Sequence, residues 1–171
     1  MTKRGYDMTQ PEPAWARAAG HAQVRPLGAD DDPGRAADRI MIAERIHRYG
    51  WGYDERDRDL LADCFTADGV WEGNIMGGDR VGPFEGREAV VSFLADFWAI
   101  QTDQRRHIFT NVVVDDLAAD RAVAHAYLLL TATTDAAMTP VTNGPYRLHM
   151  RRDDGVWRIE RLVAGFDAPF S

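Results

Sequence analysis

His107 lies in Arg105 to Val114, where residues alternate so that a strand would set His107, Phe109, Asn111 and Val113 on one face. An imidazole and an amide in phase with Phe and Val fit two readings. Either His107 is a core histidine bonded to a backbone carbonyl, or it is a proton-transfer group facing an apolar hollow. Upstream, Tyr49 and Asp54 stand five residues apart near the end of a helical stretch. On an unbroken helix that step is a rotation of roughly 140°. The glycines of Gly50-Trp51-Gly52 would loosen the helix and bring both groups to one side. The other reading makes Tyr49 and Tyr53 core aromatics with hydroxyls at the rim, and Asp54 a cap for the next helix. His125 and Tyr127 share a strand face with Val123 and Leu129, opposite Ala122, Ala124 and Ala126, and either face could line a pocket. His149, between Arg147 and Arg151, reads as solvent-facing. His47 reads as surface, with Arg45 and Arg48 around it, and His21 belongs to an N-terminal arm.

Other chemistries lack their residues. No His-x-x-x-His and no dense Asp/Glu/His cluster is present, so no metal is expected. The single cysteine, Cys64, excludes an intramolecular disulfide and points to a reducing compartment. There is no Gly-x-Gly-x-x-Gly, no phosphate-binding glycine loop ending in Lys-Ser/Thr and no Gly-x-Ser-x-Gly, which leaves nucleotide binding and serine hydrolysis without support. A formal charge of −7 gives no general attraction for phosphate backbones, and Arg105-Arg106 and Arg151-Arg152 are isolated doublets. Nucleic acid is not an expected partner. The longest apolar run, Ala122 to Leu130, is interrupted by His125 and Tyr127, so no membrane span is expected. Lys3 and Arg4 are not followed by a secretory apolar stretch, and the expected location is cytoplasmic.

The 171 residues, 45% of them hydrophobic, suit one domain with a sizeable core. Residues 1–34 read as an irregular or partner-packed arm with Tyr6, Trp15 and Leu27 as anchors, 35–168 as the domain, and 169–171 as a tail. Helical signals begin at Asp32-Pro33. Ile42, Ile46, Tyr49 and Tyr53, at steps of four, three and four, predict a buried stripe. A short second helix is expected over Leu60 to Phe65, a strand over Thr66 to Glu72, a glycine-rich loop over Asn74 to Gly82, and a short strand over Val81 to Phe84. A third helix is expected over Arg87 to Ile100, with Val90, Phe93, Leu94 and Phe97 as its stripe. Long strands follow at Arg105 to Asp115, Arg121 to Thr133, Tyr146 to Arg152 and Val156 to Gly165, with turns at Ala118-Ala119-Asp120, Thr139-Pro140 and Asp153-Asp154-Gly155. Helices first and antiparallel strands later mean an α+β fold.

Four motifs in this order resemble the SnoaL-like domain of the superfamily named after nuclear transport factor two: Arg48 to Asp57, Leu61 to Trp71, Phe84 to Ala89, and His107 to Asn111. The superfamily holds dehydratases, isomerases and dioxygenase β subunits, so the resemblance implies a fold more sharply than a function. The implied fold is a cone-shaped α+β barrel, in which a strongly curved antiparallel or mixed sheet wraps three N-terminal helices around a central pocket. By the same resemblance Tyr49, Asp54 and His107 would converge there as catalytic residues. His107 would be the general base, Asp54 its partner, and Tyr49 a hydrogen-bond donor to a carbonyl or enolate oxygen. A further strand acid found in some relatives has no counterpart, His125 and Tyr127 being the nearest polar residues. Tyr53, Trp51, Trp71, Phe109, Asn111, His125 and Tyr127 would contact substrate, and Phe84, Phe97, Trp98 and Met76 extend the aromatic and apolar inventory. The implied activity is a cofactor-independent lyase or isomerase on a hydrophobic polycyclic or polyketide-like carbonyl compound. The alternatives are a non-catalytic ligand-binding or assembly subunit, or an epoxide hydrolase or cyclase built on Asp-Arg-Asp. The resemblance also implies a homodimer, with a homotrimer as its alternative.

Overall fold

The computed structural model describes residues 15–27 and 33–169. A short helix α1 (Trp15–Ala18) is followed, after a 3-10 turn over Pro33–Arg35, by α2 (Ala36–Asp54) and α3 (Arg58–Asp63). Next come β1 (Phe65–Ile75), β2 (Arg80–Glu85) and α4 (Arg87–Asp96), which runs into a 3-10 turn over Phe97–Ala99. Four long strands end the chain: β3 (Gln104–Asp115), β4 (Arg121–Thr134), β5 (Ala137–Asp153) and β6 (Val156–Phe166). The expected cap Asp32 and anchor Tyr6 lie outside the described residues.

Helix α2 buries Ile42, Ile46, Tyr49 and Tyr53, the stripe that its spacing predicts. It does not break at the glycines but continues to Asp54. The glycines serve close approach instead: a Cβ on Gly50 would lie 3.2 Å from the His107 Cβ, and one on Gly52 would lie 2.9 Å from the Leu61 backbone nitrogen. His47 is exposed as expected, whereas its neighbour Arg45 is buried and holds α2 in place through the Trp157 carbonyl at 2.9 Å and the Asp63 carboxylate at 2.7 Å. Helix α3 starts at Arg58, earlier than expected, because Asp57 accepts a hydrogen bond from the Leu60 amide at 2.9 Å.

The six strands form one mixed sheet in the order β2-β1-β6-β5-β4-β3, antiparallel except for the parallel pair β1 and β6. It is an open ladder with β2 and β3 as its edges, not a sheet strongly curled into a cone. Of the helices, α2 and α3 precede the sheet, whereas α4 falls between β2 and β3. Strand β5 starts nine residues before the expected Tyr146, so Thr139-Pro140 sits inside a strand and is not a turn. Ala122, Ala124, Ala126, Leu128 and Leu130 of β4 are buried with Tyr49, Phe65, Leu148 and Ile159 in the core between helices and sheet.

His125, Arg147 and His149 belong to the opposite face, on which the segment Trp15 to Leu27 lies. Trp15 donates its indole N–H to Asp167 at 2.8 Å, Arg147 donates to the Gly20 carbonyl at 2.5 Å, and His21 Nε2 meets Asn74 at 2.5 Å. Trp15 is thus an anchor, whereas Leu27 is 87% exposed and is not. His149, expected in solvent, is partly covered. Burial lowers the proton affinity of His21, His125 and His149, and the Arg147 charge adds to it in each. Asp115, Asp116 and Arg147 face His125, and Glu72 faces His21. Below about pH 6.5 the unfolded chain takes up protons that these folded imidazoles refuse. Stability is therefore full above that value and falls with pH below it. The urea midpoint is expected to be lower at pH 5 than at pH 7.5, with a smaller difference in His125→Gln.

No helix among the described residues is long and apolar enough to cross a membrane.

Candidate active site

Asp54 is the last residue of α2 and faces the strand β3 that passes over Gly50. Its Oδ2 accepts the His107 backbone N–H at 2.7 Å, and its Oδ1 lies 2.6 Å from His107 Nδ1. Both side chains are only 6% exposed. An ionised carboxylate only accepts hydrogen bonds, so Nδ1 carries the proton and Nε2 is the basic nitrogen of the neutral ring. The imidazole is also packed by aromatics: the Tyr53 ring lies 4.7 Å from it and the Tyr49 ring 6.2 Å.

His107 lines a cavity of about 420 Å³ between the helices and the sheet. Trp71, Phe93, Leu94, Phe97, Leu128, Leu130 and Phe166 form its apolar walls, and Tyr49, Tyr53, Tyr146 and Gln101 bring polar atoms to it. The Tyr49 hydroxyl accepts the Trp71 indole N–H at 3.3 Å, and the Tyr53 hydroxyl accepts from Gln101 at 2.9 Å. Burial pushes both phenols above their usual range, so each keeps its proton as a donor. Asp103 and Arg105 close on each other at the same cavity through contacts of 2.5 and 2.9 Å. An apolar chamber with a tautomer-fixed imidazole and phenol donors can hold a hydrophobic carbonyl compound, take a proton beside the carbonyl and stabilise the oxygen charge that results.

Tyr49, Tyr53, Trp71 and His107 meet at this cavity, with Asp54 directly behind His107. Phe109 packs underneath, 6.0 Å from the Tyr49 ring and 5.4 Å from the Tyr146 ring. The other expected contacts are elsewhere. Trp51 is 61% exposed on the outer side of α2, since only the stripe of that helix faces inward. Asn111, with φ 52°, opens a bulge where β3 carries one residue more than β4. The bulge reverses the alternation, so Asn111 is exposed and Val114, not Val113, is buried. His125 is buried under the arm, and Tyr127 is 54% exposed beside it. Neither can stand in for a strand acid, because β4 presents Leu128 and Leu130 to the cavity. Phe84 stacks on Phe93 at 3.7 Å. Tyr146, Gln101 and the Asp103-Arg105 pair went unassigned on sequence. Tyr146 carried a signal, being in phase with Leu148 and Met150. Among the described residues no group of three or more His, Cys, Asp or Glu could hold a metal ion. A polar hollow of about 250 Å³ between arm and sheet, lined by His21, Glu72, Arg147 and Arg161, lies on the face away from His107.

The family model described as a SnoaL-like domain matches residues 34–163. A solved protein from Catenulispora acidiphila in complex with S-DNPA is 30% identical, with a TM-score of 0.66 over 77% of this chain and 95% of that one. A putative aromatic ring hydroxylase from Novosphingobium aromaticivorans is 26% identical, with a TM-score of 0.64 over 79% of this chain and 92% of that one. The β subunit of a putative aromatic-ring-hydroxylating dioxygenase from the same organism shares the fold at 14% identity, with a TM-score of 0.67 over 77% and 90% of the two chains. The chain matches no protein of curated function.

Proposed function

The chain belongs to the SnoaL-like domain family, and from that footing we propose that it is a cofactor-independent lyase or isomerase acting on a hydrophobic, polycyclic or polyketide-like carbonyl compound. The observation that carries this reading is the Asp54-His107 pair, joined at 2.6 Å at the edge of an apolar cavity. His107 Nε2 removes a proton from the carbon next to the carbonyl. Asp54 holds Nδ1–H and balances the imidazolium, while the Tyr49 hydroxyl donates to the enolate oxygen. The electron pair then either expels a β-hydroxyl, which leaves as water with the proton that His107 has taken, or receives that proton back at another carbon, giving dehydration or isomerisation and restoring the neutral imidazole. The complex of the 30% identical relative with S-DNPA supports a ligand-holding chamber. An epoxide hydrolase would need a second carboxylate with the Asp103-Arg105 pair, and no other carboxylate lines the cavity among the described residues.

The test is nitrogen-15 NMR of the His107 ring, with 2-tetralone as a fused-ring ketone. Wild type is expected to show the Nδ1–H tautomer, with an Nε2 resonance that moves when the ketone is added. Asp54→Asn should lose the single tautomer. An Nε2–H ring, or an Nε2 signal indifferent to the ketone, would leave a binding or assembly domain.

A further inference from the structure

Tyr146 is a phenol without a use in the scheme above. It is 2% exposed and lines the cavity, and its hydroxyl makes no hydrogen bond with any described residue. Buried tyrosine hydroxyls ordinarily find a partner, and for this one the cavity that Tyr146 lines is where a partner can come from. Its surroundings aim the ring without satisfying it. In the sheet it pairs with Ala126 of β4 on one side and Ala164 of β6 on the other, whose side chains end at Cβ. The ring therefore stands clear of its neighbours, braced edge-on by Phe109 at 5.4 Å and Phe166 at 6.0 Å. Neither brace offers a polar atom.

The Tyr49 ring packs on the same Phe109 ring, at 6.0 Å, and its hydroxyl already accepts from Trp71, which leaves its own proton to give. One phenol thus comes from helix α2 and one from strand β5, both as donors. Burial raises both well above the ordinary phenol range, and the Tyr49 and Tyr53 groups raise Tyr146 further, so both stay protonated wherever the fold is stable.

We propose that Tyr146 is a second oxygen-binding residue of this chamber, donating together with Tyr49 to the ketone or phenol oxygen of a flat fused-ring ligand. The proposal rests on the reading of the cavity as a carbonyl site and names its ligand class. Two donors suit an oxygen that carries or gains negative charge, and they do not suit a cationic group. The Trp71 and Phe93 rings on the wall, 5.0 Å apart, offer aromatic faces on which a flat ring system can pack.

The experiment compares 2-naphthol with naphthalene, the same rings without the oxygen, by fluorescence titration of the full chain. Tyr146→Phe and Tyr49→Phe are each expected to weaken 2-naphthol binding about tenfold, the loss of one good hydrogen bond, and to change naphthalene binding less than twofold. Equal losses for both ligands in Tyr146→Phe would make the residue a packing group and overturn the proposal. So would unchanged 2-naphthol affinity, or a wild type that does not bind 2-naphthol. The readout is binding and does not need turnover. Discrimination through Tyr146 in a protein that leaves the protons of 2-tetralone in place would uphold the oxygen site and remove the base. Exchange without discrimination would do the reverse.

Discussion

Replacing His107 with Gln is expected to slow protein-catalysed deuterium exchange at the α-carbons of 2-tetralone in heavy water by about a hundredfold or more. Gln fills a similar volume and keeps a donor for Asp54, but it has no nitrogen that can take a proton near neutral pH. The exchange assay needs no knowledge of the natural substrate, because it records the first step that dehydration and isomerisation share. Asp54→Asn should lose much of the same rate by a different route. Its side-chain amide can accept only one of the two His107 N–H groups that Asp54 now holds at 2.6 and 2.7 Å, so the ring tautomer is no longer fixed. Exchange by His107→Gln within threefold of wild type would remove the general-base role.

Gly144→Ala is expected to be the most damaging single methyl in the sheet. A Cβ there would stand 2.2 Å from the Gly165 carbonyl oxygen and 3.0 Å from the Phe166 Cα, both backbone of β6. A flexible side chain could turn aside, whereas paired strands have to separate. At this point β5 begins to be held on both sides: Asp167 donates its amide to the Asn143 carbonyl at 2.7 Å, and the ladder with β6 starts at Tyr146. Overpacking against main chain should cost about 3 kcal/mol, which for a domain of this size lowers the melting temperature by about 10 °C. Gly155→Ala is the control. Its φ of +78° strains any other residue, but nothing lies within 4 Å of the added carbon. That strain alone should cost about 1 kcal/mol. A Gly144→Ala protein that melts within 2 °C of wild type would mean that β5 and β6 are not held so closely.

The helices and most strands were legible because their apolar periods are undisturbed. Ile42 to Tyr53 bury the face that their spacing marks, whereas of the stripe expected on α4 Val90 and Leu94 are buried, Phe93 is half-buried and Phe97 is 38% exposed. The first half of β5 was not legible, because Pro140 looks like a turn residue. In the sheet, residues 137–145 pair with β4 while the β6 ladder begins only at Tyr146, so Pro140 sits where no second neighbour needs its missing N–H. The site was half legible. Tyr49, Asp54 and His107 came from a resemblance, and alternation rightly put His107 and Phe109 on one side. It failed past Thr110, since a bulge leaves no apolar pattern to announce it. The glycines of α2 misled in an instructive way: they suggested a bend, whereas Gly50 lets a strand come close enough for Asp54, one turn further on, to reach it. Which face of β4 meets the cavity depended on where the arm lies, and no periodicity carries that.

The Asp54 carboxylate also guards an edge. Among the described residues strand β3 has a neighbour on one side only, and the amide of His107 is turned away from that neighbour toward Asp54. An outward N–H on a border strand is an invitation to a strand from another molecule, and with it to fibrous or swapped assemblies. Here the invitation is withdrawn by the same side chain that orients the imidazole. Protection against unwanted association and the set of the His107 ring are thus invested in one residue, and sequence drift at position 54 would surrender both together.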